Sequence, residues 1–334
     1  MLLCQQIEVH VFLLEKKISQ KLNGKVKLHI VNYKQSLSGS FFYKHKTARL
    51  LRKKVHQQEP FCCIISTLPF CDSIVKATGI TGVHFRIANT LSHEVRTLSY
   101  FKSKRRFKGY VTLYRNENLI AVSNGVKKDM IETFDYPEKK ITTIYNPIDI
   151  KKLVQLSKEK ITYSGEDFIV YAGRFSKQKR IDLLLDAWKV FLGKNEQDVP
   201  QKLVMLTPWS EALNQMILVR NLEDKVKALG YQKKPYPWLK SAKSLIFSSD
   251  REGMPNVLLK ALALGAPVAS TDCPSGPREI LGDSYPQSLA VTNDPVALAA
   301  AIKNSLKTDF DKSEEILETF EPSKILQQIL VLGR

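Results

Sequence analysis

Strand-length apolar runs alternate with helix-length amphipathic stretches along almost the whole chain, and this rhythm limits the fold more than any other feature. In the first half, Val9 to Leu14, Val26 to Val31, Cys62 to Thr67 and Asn118 to Val122 read as strands. Phe41 to His56 has helical spacing, with Phe41, Phe42, Ala48, Leu51 and Val55 on one face and Lys44, Lys46, Arg49, Arg52 and Lys53 mostly elsewhere. In the second half, Phe168 to Ala172, Leu203 to Leu206, Ser244 to Phe247, Pro267 to Ser270 and Ser288 to Val291 read as strands. Helices are expected at Ile181 to Leu192 and near 210–220, 256–265 and 295–305. Such alternation is satisfied by parallel sheets with crossover helices on their faces. The length of 334 residues suits two such domains, each with its own core. The expected fold is therefore α/β, with two doubly wound domains in tandem facing a central cleft. They cover 1–150 and 151–320, with a closing helix over 321–334, and ligand is expected at strand C-terminal ends.

Charge divides the chain. Residues 1–150 carry 25 Lys and Arg against 11 Asp and Glu, a net of +14 out of the total of +18, so the remainder contributes only +4. A half this basic points to a polyanion, either nucleic acid or an anionic membrane surface. No apolar run approaches the roughly 18–20 residues that span a bilayer. Met1 to Gln6 lacks the basic flank and long apolar stretch of a signal peptide. Five cysteines without CxxC spacing speak against a disulfide framework or a zinc site, and Cys62 and Cys63 read as core residues. The cytosol is the expected compartment.

Two loops carry the chemistry. Ser248-Ser249-Asp250-Arg251-Glu252-Gly253-Met254-Pro255-Asn256 follows a strand and precedes a helix, whose first N–H groups form an anion site. Gly253 permits a tight path, Pro255 suits a first helical turn, and Glu252 at the mouth can hold sugar hydroxyls. Alone, this is equally the pattern of a capped strand-to-helix loop. Gly173-Arg174-Phe175-Ser176-Lys177-Gln178-Lys179 has the same context, and puts Arg174 and Lys179 at a second helix start. Cations there oppose the helix dipole, a cost that an anionic ligand offsets. Solvated cations at a helix start are the plainer alternative. Two anion-suited loops in one domain favour a nucleotide diphosphate.

These residues resemble a known family. Gly173-Arg174-Phe175 with Lys179, Leu229-Gly230-Tyr231-Gln232, Pro235-Tyr236-Pro237 and above all Ser249 through Leu281 are similar to family 4 of retaining glycosyltransferases, proteins of the GT-B fold. Ala121 to Val126 and Ile144 to Asp149 look like that family's end-of-domain and hinge segments. The resemblance implies sugar transfer from a nucleotide diphosphate sugar with retention, without metal or other cofactor. It implies that Arg174 and Lys179 bind the diphosphate and that Glu252 contacts the hexose, the three catalytic candidates. Gly173, Gly253, Met254, Pro255, Asn256, Val257 and Lys260 would complete the donor site, with the backbone N–H groups available between Gly253 and Val257 holding sugar and phosphate oxygens and Lys260 meeting a different donor or a phosphate directly. Two cations and a helix dipole can stabilise a leaving diphosphate, and a phosphate oxygen can take the acceptor's proton.

The chain departs from the family in four places. The motif's second Glu, which usually binds ribose hydroxyls, is Lys260, and a cation cannot accept those hydrogen bonds. Leu206-Thr207-Pro208-Trp209-Ser210 lacks a Gly-rich turn, and Lys234 stands where relatives usually carry Asn. The N-terminal domain is expected to lack the family's first strand and Gly-rich turn, since the first glycine is Gly24. A weakly active or inactive homologue that binds glycan or a partner transferase is thus the alternative, with a nucleotide-sugar epimerase behind it.

Tyr100-Phe101-Lys102-Ser103-Lys104-Arg105-Arg106-Phe107-Lys108-Gly109-Tyr110 interleaves aromatics with cations, a pattern that suits an anionic lipid surface or single-stranded nucleic acid. Because the family's N-terminal domain receives the acceptor, the expected acceptor is a glycan on an anionic lipid, such as an undecaprenyl diphosphate carrier or a lipopolysaccharide core. The enzyme would then sit peripherally on the inner face of the plasma membrane, with no nucleic-acid partner. His84, Arg86 and Asn89 are candidates for the acceptor side of the cleft.

Overall fold

The computed structural model describes residues 7–14, 24–31, 41–161, 163, 167–193 and 199–333, with side chains from Lys44 onward in the first helix. Met1 to Gln6 and the side chains of Phe41 and Phe42 lie outside the described residues. The chain divides into two compact units: 1–122 with 126–145 and 322–334, and 123–125 with 146–321.

The first unit holds strands β1 (Val9–Leu13), β2 (Val26–Ile30), β3 (Ile64–Thr67), β4 (Val83–Ile87), β5 (Asn118–Ala121) and β6 (Ile141–Thr143). β1 pairs with β2, and β3 to β6 form a second sheet in sequence order, every pair being parallel. Helix Phe41–His56 buries Ala48, Leu51 and Val55, where they meet Val31 of the strand layer and Ile74 of helix Pro69–Thr78. Its cations Lys46, Arg49, Arg52 and Lys53 are exposed, as the helical period requires. Helix Pro322–Val331 sends Ile325 against Ile120 and Ile144 of this unit.

The second unit is one six-stranded parallel sheet. Its strands β7 (Phe168–Ala172), β8 (Lys202–Leu206), β9 (Val226–Ala228), β10 (Ser244–Phe247), β11 (Val268–Thr271) and β12 (Leu289–Ala290) lie in the order β12-β11-β10-β7-β8-β9. Ile169, Tyr171, Leu203, Met205, Ile246 and Ala269 point to one face, where Leu184, Leu185 and Trp188 of helix Ile181–Leu192 and Leu298 and Ile302 of helix Pro295–Lys307 cover them. Val170, Val204, Leu245 and Val268 are buried on the other face, so the strands read as unbroken apolar runs rather than as alternation. Asp294 fixes the start of helix Pro295–Lys307 by accepting from the N–H groups of Val296 (2.8 Å) and Ala297 (2.9 Å).

Three expectations are corrected. β4, absent from the sequence reading, runs through the middle of the β3–β6 sheet; its Val83, Phe85 and Ile87 are buried while His84 and Arg86 alternate onto the other face. Cys62 is exposed and Cys63 only half-buried, because the strand begins at Ile64 and both residues stay in the approach to it. Finally, β12 stops at Ala290, leaving Val291 exposed beyond the sheet.

Candidate functional site

The strand order reverses between β7 and β10: the chain runs outward through β8 and β9, then crosses back to lay β10 against the other edge of β7. Loops leaving two such strands diverge above the sheet and open a crevice at their C-terminal ends. The loops here are Gly173–Arg180 after β7 and Ser248–Pro255 after β10. Both chemistry-bearing segments of the sequence therefore meet at the switch point of the second unit.

Backbone geometry shapes the first loop. A Cβ on Gly173 would lie 2.6 Å from the Tyr171 Oη, so glycine is needed for the strand to turn over that buried ring. Lys177–Lys179 makes one 3-10 turn, and Arg180 adopts a left-handed conformation (φ 45°) from which helix Ile181–Leu192 starts. Lys179 thus precedes the helix by two residues and is not part of its first turn. Arg180 is engaged elsewhere, with Nε 3.0 Å from Asp182 Oδ1 and Nη1 donating to Asn293 Oδ1.

Four hydrogen bonds lock the two loops together. Asp250 N–H donates to Gln178 O (3.0 Å), Gln178 Nε2 to Arg251 O (2.8 Å) and Ser248 Oγ to Lys179 O (2.8 Å). The fourth is an ion pair, Lys179 Nζ to Glu252 Oε1 at 2.6 Å, with the side chains only 16% and 13% exposed. Lys179 Nζ also stands 5.2 Å from the centre of the Phe247 ring. A carboxylate is thereby fixed beside a cation at the mouth of the crevice. The Arg174 guanidinium is exposed, with no hydrogen bond or ion pair among the described residues.

Behind this pair Tyr171 and Cys273 are buried. Burial, with Glu252 adding to it, drives the Tyr171 hydroxyl well above the usual phenol range. The same two causes push up the Cys273 thiol. Both groups therefore stay neutral near pH 7. Sequence reasoning missed Tyr171, Gln178 and Cys273; the one available signal was a Tyr two residues before a strand-ending glycine.

Helix Asn256–Ala263 begins over the same crevice. Pro255 is its N-cap and offers no side-chain oxygen; Asn256 N–H donates to Met254 O (3.0 Å) and Leu258 N–H to Pro255 O (2.9 Å), so the helix start meets an anion through its dipole and the Val257 N–H. Gly253, Met254 and Pro255 are buried, Val257 half-buried and Asn256 exposed. Asn146 Nδ2 donates to Asn256 Oδ1 at 2.9 Å. The loop after β11 closes in from the next strand: Gly276 (φ 99°) brings its backbone so near that a Cβ would sit 2.2 Å from Pro255 Cδ. Thr271 Oγ1 donates to Ser249 O at 2.6 Å.

Lys260 lies one turn further along this helix. It is half-buried, its Nζ is 5.7 Å from the Tyr236 ring centre, and it makes no hydrogen bond or ion pair among the described residues. Burial holds its pKa below the usual lysine range. His84, Arg86 and Asn89 belong to the first unit. His84 and Arg86 share one face of β4, and burial lowers both pKa values, while Asn89 Oδ1 accepts from Thr90 N–H at 3.0 Å and so shapes its own loop. Among the described residues no group of three or more His, Cys, Asp or Glu side chains could hold a metal ion.

A parallel sheet with a cation–carboxylate pair and a helix start at its switch point defines the class as doubly wound α/β proteins with a ligand crevice at the strand C-terminal ends. The sequence comparisons make the class specific. Residues 155–319 match the family described as Glycosyl transferases group 1, and residues 3–152 match Glycosyltransferase Family 4. The chain belongs to this glycosyltransferase family and has its GT-B architecture.

Among relatives, the N-acetylgalactosamine-N,N'-diacetylbacillosaminyl-diphospho-undecaprenol 4-alpha-N-acetylgalactosaminyltransferase of Campylobacter jejuni is 30% identical over 253 residues, 71% of this chain and 67% of that protein. The lipopolysaccharide 1,6-galactosyltransferase of Escherichia coli is 33% identical over 173 residues, 48% of this chain and 45% of the relative. That second match thus spans less than half of the relative's length. Among solved structures, sucrose-phosphate synthase from Thermosynechococcus elongatus superposes with a TM-score of 0.74 at 15% identity, covering 96% of this chain and 87% of that one. Anabaena HepE in complex with UDP gives 0.70 at 18% identity, covering 91% and 85%. No helix among the described residues is long and apolar enough to cross a membrane.

Proposed function

We propose that the chain transfers a hexose-type sugar from a nucleotide diphosphate sugar to a lipid-linked glycan or lipopolysaccharide acceptor, with retention at the anomeric carbon. The observation that carries this reading is the Lys179–Glu252 pair at 2.6 Å, set at the switch point beneath an uncapped helix N-terminus. As the donor's bond to phosphate breaks, negative charge grows on the diphosphate. Lys179, the unpaired Arg174 and the Val257 N–H at the positive end of the helix are placed to meet it. Glu252, already oriented by Lys179, accepts hydrogen bonds from sugar hydroxyls. The acceptor hydroxyl attacks the anomeric carbon on the face the phosphate leaves, and its proton passes to a phosphate oxygen. That step needs no strong protein base.

The activities of the Campylobacter and Escherichia relatives support a lipid-linked or lipopolysaccharide acceptor. The complex of HepE makes a uridine nucleotide the first donor to test. A net charge of +14 on residues 1–150, from 25 basic and 11 acidic residues, supports work at the inner face of the plasma membrane through the first unit. Lys260 favours a second reading, a homologue of low activity that binds glycan or a partner transferase, since a half-buried cation replaces the expected ribose acceptor.

The deciding experiment incubates the full chain with UDP-hexoses, with and without a lipid-linked oligosaccharide, and follows nucleotide release and glycolipid mass together. Acceptor-dependent release with a one-hexose mass gain is the expected result. Donor binding by calorimetry without release would favour the second reading, and an epimerised free sugar nucleotide would favour an epimerase. Absence of both binding and release at millimolar donor would reject the proposal.

A further inference from the structure

The first unit contains a groove of about 1010 Å³ between helices Phe41–His56, Pro69–Thr78 and Tyr100–Tyr114. Its floor is apolar, built from Phe70, Leu98 and Leu113 among others. Its rim is cationic: Lys44, Lys102, Arg105 and Lys108 line it, and no carboxylate does. None of these four cations makes a hydrogen bond or ion pair among the described residues. Two further basic residues of the lining are already engaged. Lys76 Nζ donates to Leu113 O at 2.7 Å and pairs with Glu117 at 2.8 Å, and Arg106 pairs with Glu94 at 3.2 Å.

Helix Tyr100–Tyr114 has five cations and no acid. Lys102 with Arg106, and Lys104 with Lys108, are like charges one turn apart, and three cations fall near an N-terminus that prefers anions. This arrangement is unfavourable by itself, and an anion in the groove relieves it. At the helix start Phe101 is 83% exposed and Tyr100 65% exposed, with Lys104 Nζ 4.4 Å from the centre of the Tyr100 ring. Aromatics of this kind favour the headgroup layer of a bilayer.

We infer that this groove is a discrete binding site for the headgroup phosphate of an anionic phospholipid, with Lys102, Arg105, Lys108 and Lys44 around the phosphate, glycerol-level apolar surface on the floor, and Phe101 inserted beside it. The inference deepens the proposed membrane-face reading by replacing diffuse attraction with a saturable site. It rests on that reading only for its biological setting, since lipid binding is measured without any transfer reaction.

The test compares two double charge reversals of equal net charge in the full chain. Arg105→Glu/Lys108→Glu alters the groove. Lys128→Glu/Lys139→Glu alters exposed positions outside its lining. Binding is measured to vesicles of phosphatidylcholine alone, to vesicles with phosphatidylglycerol, and to short-chain phosphatidylglycerol below its micelle concentration. Hydrogen exchange of β3 to β5 reports the first unit's integrity in each variant and UDP calorimetry the second's, so loss of lipid binding with both intact concerns the groove alone.

The expected result is one-to-one binding of the short-chain lipid, at least tenfold weaker anionic-vesicle binding for the groove pair, and less than twofold change for the control pair. Phe101→Ala should weaken vesicle binding several-fold while leaving the short-chain lipid bound. Equal losses in the two pairs would reduce the groove to part of a diffuse field and overturn the inference. Full displacement of the short-chain lipid by equimolar inorganic phosphate, or tighter binding of a single-stranded oligonucleotide than of anionic vesicles, would overturn it as well.

Discussion

Lys179 and Glu252 restrain one another at 2.6 Å in a pocket that leaves each side chain less than a fifth exposed. In the proposed reaction Lys179 has two tasks, orienting Glu252 and meeting the diphosphate. Lys179→Met should therefore lower kcat/KM for the donor by about 10²–10³-fold, the usual cost of one preorganised charge-stabilising group. It also leaves Glu252 short of its cation, at about 1–3 kcal/mol of stability. Arg180→Met is the control, because Arg180 serves Asp182 and Asn293 rather than Glu252; a loss in the control as large as that of Lys179→Met would show that loop integrity, not charge, is being measured. Lys260 makes the opposite prediction. Lys260→Glu restores an acceptor for ribose hydroxyls, so calorimetry should report tighter UDP binding, and equal or weaker binding would remove Lys260 as a handicap. At Gly173 the argument is steric. An added Cβ meets the Tyr171 Oη at 2.6 Å, so Gly173→Ala should cost about 1–3 kcal/mol, and most of that should return in the Tyr171→Phe background. Additive losses in the double mutant would place the strain elsewhere.

At the scale of elements, one buried carboxylate joins three pieces of the first unit. Asp72 of helix Pro69–Thr78 is wholly buried and accepts from Ser66 Oγ of β3 (2.5 Å) and from Tyr114 Oη of helix Tyr100–Tyr114 (2.8 Å). Burial outweighs both bonds and raises its pKa from 3.8 to about 6. A carboxyl with a raised folded-state pKa stabilises the fold when protonated. Its contribution is full below about 4, is lost as pH rises towards 6, and stays lost above. That rise corresponds to about 3 kcal/mol. Asp72→Asn keeps the shape without the charge. Its melting temperature should exceed wild type at pH 8 and show a flatter dependence between pH 4 and 6; a parallel pH profile would mean that Asp72 does not carry the slope. This cluster was not legible in the sequence, since a lone Asp on an amphipathic helix looks solvated until tertiary packing closes over it. β4 was legible and overlooked: Val83-His84-Phe85-Arg86-Ile87 alternates with period two, but its polar members drew the eye to catalysis. Five of the second unit's six strands were legible, because parallel strands buried on both faces leave unbroken apolar runs and the loops between them carry Gly and Pro; β9 and the helices Tyr236–Ser241, Pro277–Leu281 and Ser313–Glu318 were not, being too short to show a period. Of its site, the Gly173–Lys179 and Ser248–Asn256 loops stood out in sequence. Their mutual hydrogen bonds and the buried Tyr171 and Cys273 beneath them arise only from the strand order that makes β7 and β10 neighbours.

At the scale of the whole molecule, the two units have separate cores. One gathers Val31, Ala48, Leu51, Val55 and Ile74, and the other surrounds Trp188, Leu184, Leu203 and Ile302. Separate cores unfold as separate cooperative units unless a large apolar interface couples them, and a ligand stabilises only the unit that binds it. The proposed donor contacts lie in the loops after β7 and β10, all within the second unit. UDP at one hundred times its Kd should add about 2.7 kcal/mol to that unit, which for a domain of this size is about 5–10 °C in Tm. Hydrogen exchange resolves the two. Amides of β7, β8 and β10 should gain protection with UDP, while those of β3 to β5 should exchange as before. Equal gains in both units would show that they melt as one, and no gain in either would show that the crevice at the switch point does not bind the nucleotide. Salt supplies an independent axis. The +14 of residues 1–150 repels itself at low ionic strength, so raising salt should stabilise the first unit while leaving the nearly balanced second unit little changed. Donor and salt should therefore raise different halves of the same melting curve.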